Sequence, residues 1–135
     1  MGTASEYTLR QLLYLLNGAG VWKQDGVTQI LKLGSVAGGV TTLYTVPSDR
    51  IGYLTTITMW VINTGAQALS AYVSLASPGP IEECAWAAYA APGTCANLSI
   101  SFPVPILMPE GWLVVLVVGS GASGQASITG YELPE

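Results

Sequence analysis

From residue 41 onward a turn signal interrupts the chain every roughly 8 to 15 residues, and the stretches between are rich in Val, Ile, Thr and aromatics. The interruptions are Pro47 with Ser48-Asp49-Arg50, Thr64-Gly65, Ser77-Pro78-Gly79-Pro80, Pro92-Gly93, Pro109-Glu110-Gly111 and the glycine-rich run 119–124. Turn residues spaced this way around β-branched runs specify short strands joined by tight connections. The pattern predicts an all-β domain, a β-sandwich or jelly-roll-like fold. No tandem repeat is visible.

The expected strands are residues 41–46, 53–63, 67–76, 98–102, 112–118 and 125–133, with an earlier one at 27–36 broken by Gly38-Gly39. In the third, Leu69, Ala71, Val73 and Leu75 alternate with Ser70, Tyr72 and Ser74, the period of a strand buried on one face. Residues 112–118 are continuously apolar, as for a strand covered on both faces. Pro103 and Pro105 keep the end of the 98–102 strand from central pairing. The stretch 81–96 is ambiguous, since its alanines favour helix while Trp86, Tyr89, Pro92-Gly93 and two cysteines suit strand and loop; it reads as irregular.

One segment reads as helix, residues 3–17. Thr8 and Gln11 fit a capping box, Tyr7 and Leu12 a hydrophobic staple. Leu9, Leu12, Leu13 and Leu16 recur at helical spacing before the Asn17-Gly18 stop, and Tyr14 and Leu15 widen the apolar face. A helix so short and apolar cannot stand alone in water. It must dock, on its own domain or on another subunit. The expected organisation is an arm over 1–40 (helix, linker and first strand) and a sandwich over 41–135.

Charge narrows the function. Four Lys+Arg and eight Asp+Glu make 9% of the chain, against about 25% in ordinary soluble domains. So acidic a balance gives nucleic-acid phosphates no basic face. The longest apolar runs, 85–91 and 112–118, fall well short of the about 20 residues of a membrane-spanning helix. A transmembrane barrel needs at least eight strands of about 10 residues. Arg10 inside the leucine stretch and Glu6 before it do not fit a secretory leader. No membrane role is expected. What remains is a polar uncharged surface combined with extensive protein–protein contact, for which Leu12, Leu13, Leu15, Leu16, Trp22, Trp86 and Tyr89 are the interface candidates.

Candidate chemistry is sparse. With no histidine, Ser-His-Asp and Cys-His catalysis and His-ligated metals are absent. Cys84 and Cys95 are too few to complete a structural zinc site; a disulfide between them and a pair of reduced thiols both stay open. Glu82-Glu83 are neighbours beside a proline break, and the other acids fall in turns or near termini, so they read as solvated charges rather than a carboxylate pair across a cleft. Trp22, Trp60, Trp86 and Trp112 with seven tyrosines could form a sugar-stacking platform. Trp60 and Trp112 lie in strongly apolar strands and read as core. Asn97-Leu98-Ser99 matches a glycosylation sequon, a pattern common by chance. No catalytic, cofactor-binding or metal residue is assigned, and the chain is read as no enzyme.

Residues 43–57, Leu43-Tyr44-Thr45-Val46-Pro47-Ser48-Asp49-Arg50 running into Ile51-Gly52-Tyr53-Leu54-Thr55-Thr56-Ile57, resemble the opening of small β-sandwich structural proteins of tailed-bacteriophage particles. Asn63-Thr64-Gly65, Met108-Pro109-Glu110-Gly111-Trp112 and Ser127-Ile128-Thr129-Gly130-Tyr131-Glu132 are similar to their next hairpin, late turn and closing strand, so the likeness spans about residues 41–133. The resemblance implies a non-enzymatic virion component assembled in the host cytoplasm. It would be a homo-oligomer, expected as a trimer, bound to a major capsid or tail protein. Capsid decoration is the leading expectation. A tail or neck accessory acting as a carbohydrate- or receptor-binding module is the alternative.

Overall fold

Alternating burial along β-branched runs dictates the architecture of this computed structural model, which describes residues 26–67 and 69–135. Six strands follow one another: β1 (Thr28–Thr45), β2 (Arg50–Asn63), β3 (Leu69–Ser77), β4 (Ile81–Ala90), β5 (Cys95–Met108) and β6 (Leu113–Pro134). Among the described residues there is no helix. The expected helix over 3–17 lies outside them, as do Leu12, Leu13, Leu15, Leu16 and Trp22.

All strands belong to one antiparallel sheet that curls over itself. The curl is made by β1 and β6, which pair along their whole lengths and bend together. Residues 28–37 of β1 pair with 123–132 of β6, whose other edge is β2, with β5 beyond. Residues 39–45 of β1 pair with 113–118 of β6, whose other edge here is β3, with β4 beyond. The sheet therefore has two four-stranded halves, β5-β2-β6-β1 and β4-β3-β6-β1. At the bend Gly38 and Gly121 take left-handed φ values of 65° and 94°, a conformation side chains resist.

The halves share one core. Leu54, Ile57, Met59, Val61 and Ile128 of the first half meet Val73, Leu75, Val114 and Leu116 of the second. Two polar clasps close its margins. Asn63, fully buried, donates to Gln67 O (2.7 Å) and Ala90 O (2.9 Å) and accepts from Gly65 N (2.9 Å), tying β2 to the end of β4. On the β1 side the Tyr44 hydroxyl donates to the Glu132 carboxylate, with Arg50 Nε 3.8 Å from the other carboxylate oxygen.

Several expectations are corrected. Residues 28–40, assigned to an arm, are integral to the sheet, and the 40/41 division falls inside β1. Residues 81–90 are a strand with one bulge at Glu83, because pairing with β3 from Leu69↔Ala90 to Ser77↔Ile81 overrides the helical preference of alanine. The run 119–124 is no loop: β1 on one side and β2 on the other hold Ser123 and Gly124 in the ladder, so β6 continues through it. Residues 98–102 are the middle of the longer β5, an edge strand in which Pro103 and Pro105 need no outer partner.

Candidate functional site

Each half buries one side and presents the other outward, and the outward sides are the functional surfaces the sequence provides. On the β5-β2-β6-β1 half the outward residues are mostly hydroxyls, amides and aromatics. Tyr53 and Tyr131, directly opposite in the β2–β6 register, stack with ring centroids 4.9 Å apart and an 18° interplanar angle. Beside them the Thr129 hydroxyl lies 2.9 Å from that of Thr55 and 2.5 Å from that of Thr56. Thr58, Trp60, Ser127, Gln125, Ser99 and Asn97 continue the surface by register, and Leu31 and Leu33 border it on β1. A shallow groove of about 290 Å³ runs between Leu31, Thr55, Thr129 and Tyr131. Among the described residues no charge stands on this face.

The β4-β3-β6-β1 half presents a different surface. Val114, Leu116 and Val118 are buried while Val115 and Val117 point outward, flanked in register by Ser74 and Tyr72 on β3 and by Thr42 and Val40 on β1. Ala85, Ala87 and Tyr89 of β4 extend it. Val40 is 64% and Tyr89 76% exposed. Among the described residues of these strands this face carries no charge between Val40 and Tyr89, and Glu82, opposite Ala76, stands at its end.

The sequence candidates fall unevenly on this frame. Tyr89 stands open on the apolar face. Trp86, expected in a loop, lies in β4 opposite buried Val73 and packs on Phe102 of β5 at 5.4 Å, where it closes the margin between the halves. Trp112 packs against the core as expected, but Trp60 is turned to the outward side and only half-buried. The thiols of Cys84 on β4 and Cys95 on β5 are free and exposed, and they are not joined to each other. Partial burial, then the Glu83 and Glu82 carboxylates, push the Cys84 thiol up, which makes it a poor nucleophile at neutral pH.

Two groupings have no local signal in the sequence. The Tyr44–Glu132 clasp, 88 residues apart in the chain, lies at a groove of about 410 Å³ between the two limbs of β1, lined also by Ile30, Lys32 and Thr42. Burial first, then the hydrogen bond and charge of Glu132, push the Tyr44 hydroxyl far above its ordinary 10.0. Asp49, Glu110 and Glu135, read as separate loop charges, bring carboxylate oxygens within 4.8 Å of one another, all exposed.

No family model matches the chain, and no curated protein matches it. Solved structures that it resembles include one of the Bacillus endospore appendages, described as a novel family of disulfide-linked pili, with TM-score 0.41, 13% identity, 82% of this chain and 90% of that chain covered. Another is the family 11 carbohydrate-binding module of the cellulosomal cellulase Lic26A-Cel5E of Clostridium thermocellum, with TM-score 0.29, 14% identity and coverages of 82% and 84%. A third is from infectious bursal disease virus, Gx strain, with TM-score 0.31, 18% identity, 79% of this chain and 35% of that chain covered. That virus is not a tailed phage. The likeness in all three is one of general β architecture.

Proposed function

We propose that this chain is a non-enzymatic structural subunit of a virion, a capsid decoration protein of the tailed-phage kind, which self-associates and seats on a lattice of major capsid or tail protein. The strand order β5-β2-β6-β1 facing β4-β3-β6-β1 fits the eight-stranded jelly roll common in such coats. A homotrimer assembled in the host cytoplasm is the expected form. The observation that carries the reading is the apolar outward face. Half-buried Val115 and Val117 between exposed Val40 and Tyr89 at the two edges, with no charge among them in the described residues, are what a subunit interface presents and what a free surface avoids. Each Å² it buries contributes roughly 25 cal/mol before the costs of association, and repetition over a lattice makes modest contacts cumulative.

Light scattering at low micromolar concentration tests this. The wild-type chain is expected as a stable oligomer, Val117→Asp as a folded monomer, and Ser127→Asp on the opposite face as wild type. A monomeric wild-type chain would remove the reading. The Tyr53–Tyr131 stack beside a groove of hydroxyls favours a second reading, a tail or neck accessory that binds a neutral carbohydrate. A glycan array without a hit would eliminate it.

A further inference from the structure

The chain leaves three strand edges unpaired among its described residues: β1 pairs only with β6, β4 only with β3 and β5 only with β2. An open edge offers a row of free N–H and C=O groups to any other strand, and monomeric proteins blunt such edges with prolines, lysines or bulges. The outer part of β5 is blunted by Pro103 and Pro105. β1 and β4 contain no proline; a bulge interrupts each near one end, at Leu43 and at Glu83, and leaves residues 39–42 and 84–90 as uninterrupted edge. The exposed large hydrophobics also concentrate at the edges. Leu31, Leu33 and Val40 are on β1, Ile81 and Tyr89 on β4, Val104 and Leu107 on β5, and Ile62 alone is on an inner strand.

We propose that residues 39–45 of β1 and the outer edge of β4 are mating edges between copies of this chain, joined head to tail so that the β4-β3-β6-β1 half runs on from one copy into the next. Three observations select this occupant. First, these strands are the two ends of one four-stranded antiparallel half. Because the number of strands is even, β1 and β4 run in opposite directions. A second copy brought alongside without inversion therefore presents its β4 antiparallel to β1, the more stable pairing. Second, such a ladder matches residues 39–45 with about seven residues of β4 and continues the apolar face from Val40 onto Ala85, Ala87 and Tyr89 of the neighbour. Third, charge is complementary. Antiparallel pairing brings the neighbour's Glu82–Glu83 end to the Thr45 end of β1. That is beside the groove lined by Thr45 and Lys32, and Lys32 has no acidic partner among the described residues. A two-fold antiparallel β4–β4 contact would instead set each Glu82–Glu83 end against the partner copy's uncharged Tyr89–Ala90 end and leave β1 uncovered.

This contact is heterologous. It closes into a ring, a trimer among the options, when the rotation between copies divides a full turn, and runs on as a filament when it does not. It rests on the assembly reading above.

The test uses the full chain with Cys95→Ser, so that Cys84 on β4 is the one native thiol, and adds Thr41→Cys on β1, which shares the inward side of the sheet with Cys84. Oxidation at alkaline pH should give disulfide-linked dimers and higher species that a reductant returns to monomer and that Cys84→Ser abolishes. Lys32→Glu should weaken the unoxidised assembly at least several-fold, more at low salt than at high, and Glu83→Lys in the same chain should restore it. On the unmodified protein, amide exchange in residues 39–45 and 81–90 should slow as concentration rises. An oligomer by light scattering with no cross-link and unprotected edges overturns the edge pairing and leaves the assembly reading standing. Cross-linking that stops at a closed two-fold dimer also overturns it. A chain that stays monomeric throughout overturns both.

Discussion

The two outward faces are built largely from the same two strands, yet they differ in kind. Before its bend β6 reads Leu113-Val114-Val115-Leu116-Val117-Val118; after it the outward positions are Gln125, Ser127, Thr129 and Tyr131. The inward positions do not change in the same way. Val114, Leu116 and Val118 on one side of the bend, and Ala122, Ala126 and Ile128 on the other, are all buried and all apolar. Burial dictates the inner face of a strand wherever it lies, so a change confined to the outer face reports what that face meets. The hydroxyl face is composed to be solvated or to bind polar groups, and the valine face to be covered.

The largest expected effect comes from breaking the hydroxyl face at its narrowest point. Gly130 lies where the β2–β6 register shifts, and a Cβ placed on it would be 2.0 Å from Tyr53 O and 3.1 Å from Tyr53 C. Backbone cannot give way as a side chain does, so Gly130→Ala must push β2 off β6 and part Tyr53 from Tyr131. A loss of about 3 kcal/mol is expected, read as a lowered denaturation midpoint, with the Tyr stack gone from the near-ultraviolet circular dichroism. Tolerance of alanine there would mean that the faces are less rigid than the close approach implies.

How much of this was legible in the sequence depends on whether the determinant is local. Alternation from Leu69 to Leu75 and the turn at residues 77–80 are local, and β3 and its end lie where they point. β4 was missed because its inward residues, Ala88 and Ala90, are small and helix-favouring, and only the register with β3 makes them strand. The passage of β6 through Gly119-Ser120-Gly121 has no local signal because a run of small residues has no periodicity, and its continuity comes from pairing on either side of it, Val118 with β1 and Ala122 with β2, distant in sequence. For the surface, scarcity of charge was plain from composition. Its division into two faces was not, because which residues share a face is set by strand pairing. That is why Trp60 reads as core in the sequence although its strand turns it outward, and why Trp86 reads as part of an irregular stretch although β4 packs it on Phe102.

The clasp ties the two halves together, since Tyr44 comes from the valine half and Glu132 from the hydroxyl half. Tyr44→Phe leaves a buried carboxylate without its hydroxyl donor, with Arg50 as its remaining partner, and should cost about 2 kcal/mol at neutral pH. The pH dependence has a definite sign. The folded Tyr44 pKa lies above the unfolded value of 10.0, so folding favours the protonated phenol. Its contribution is complete below about pH 10 and is lost as pH rises toward the folded pKa. Denaturant titrations should therefore show the gap between wild type and Tyr44→Phe constant from pH 7 to 9 and shrinking above 10. A gap that widens in alkali would show that Tyr44 is not held protonated by this site.

The smallest effect tests whether the faces are independent. Tyr53→Ala removes one ring of the stack and leaves its partner in place. Stacked aromatic pairs contribute about 1 kcal/mol beyond their buried area, so the expected change is a modest fall in stability. The valine face lies on the other half of the sheet, behind the shared core, and the oligomer mass should not change. Two sites far apart with no common partner have additive energies, so Tyr53→Ala combined with Val117→Asp should show the stability loss of the first and the dissociation of the second, with no coupling. Dissociation by Tyr53→Ala alone would show the hydroxyl face to be part of the assembly contact, and the distinction between a face that binds and a face that builds would have to be given up.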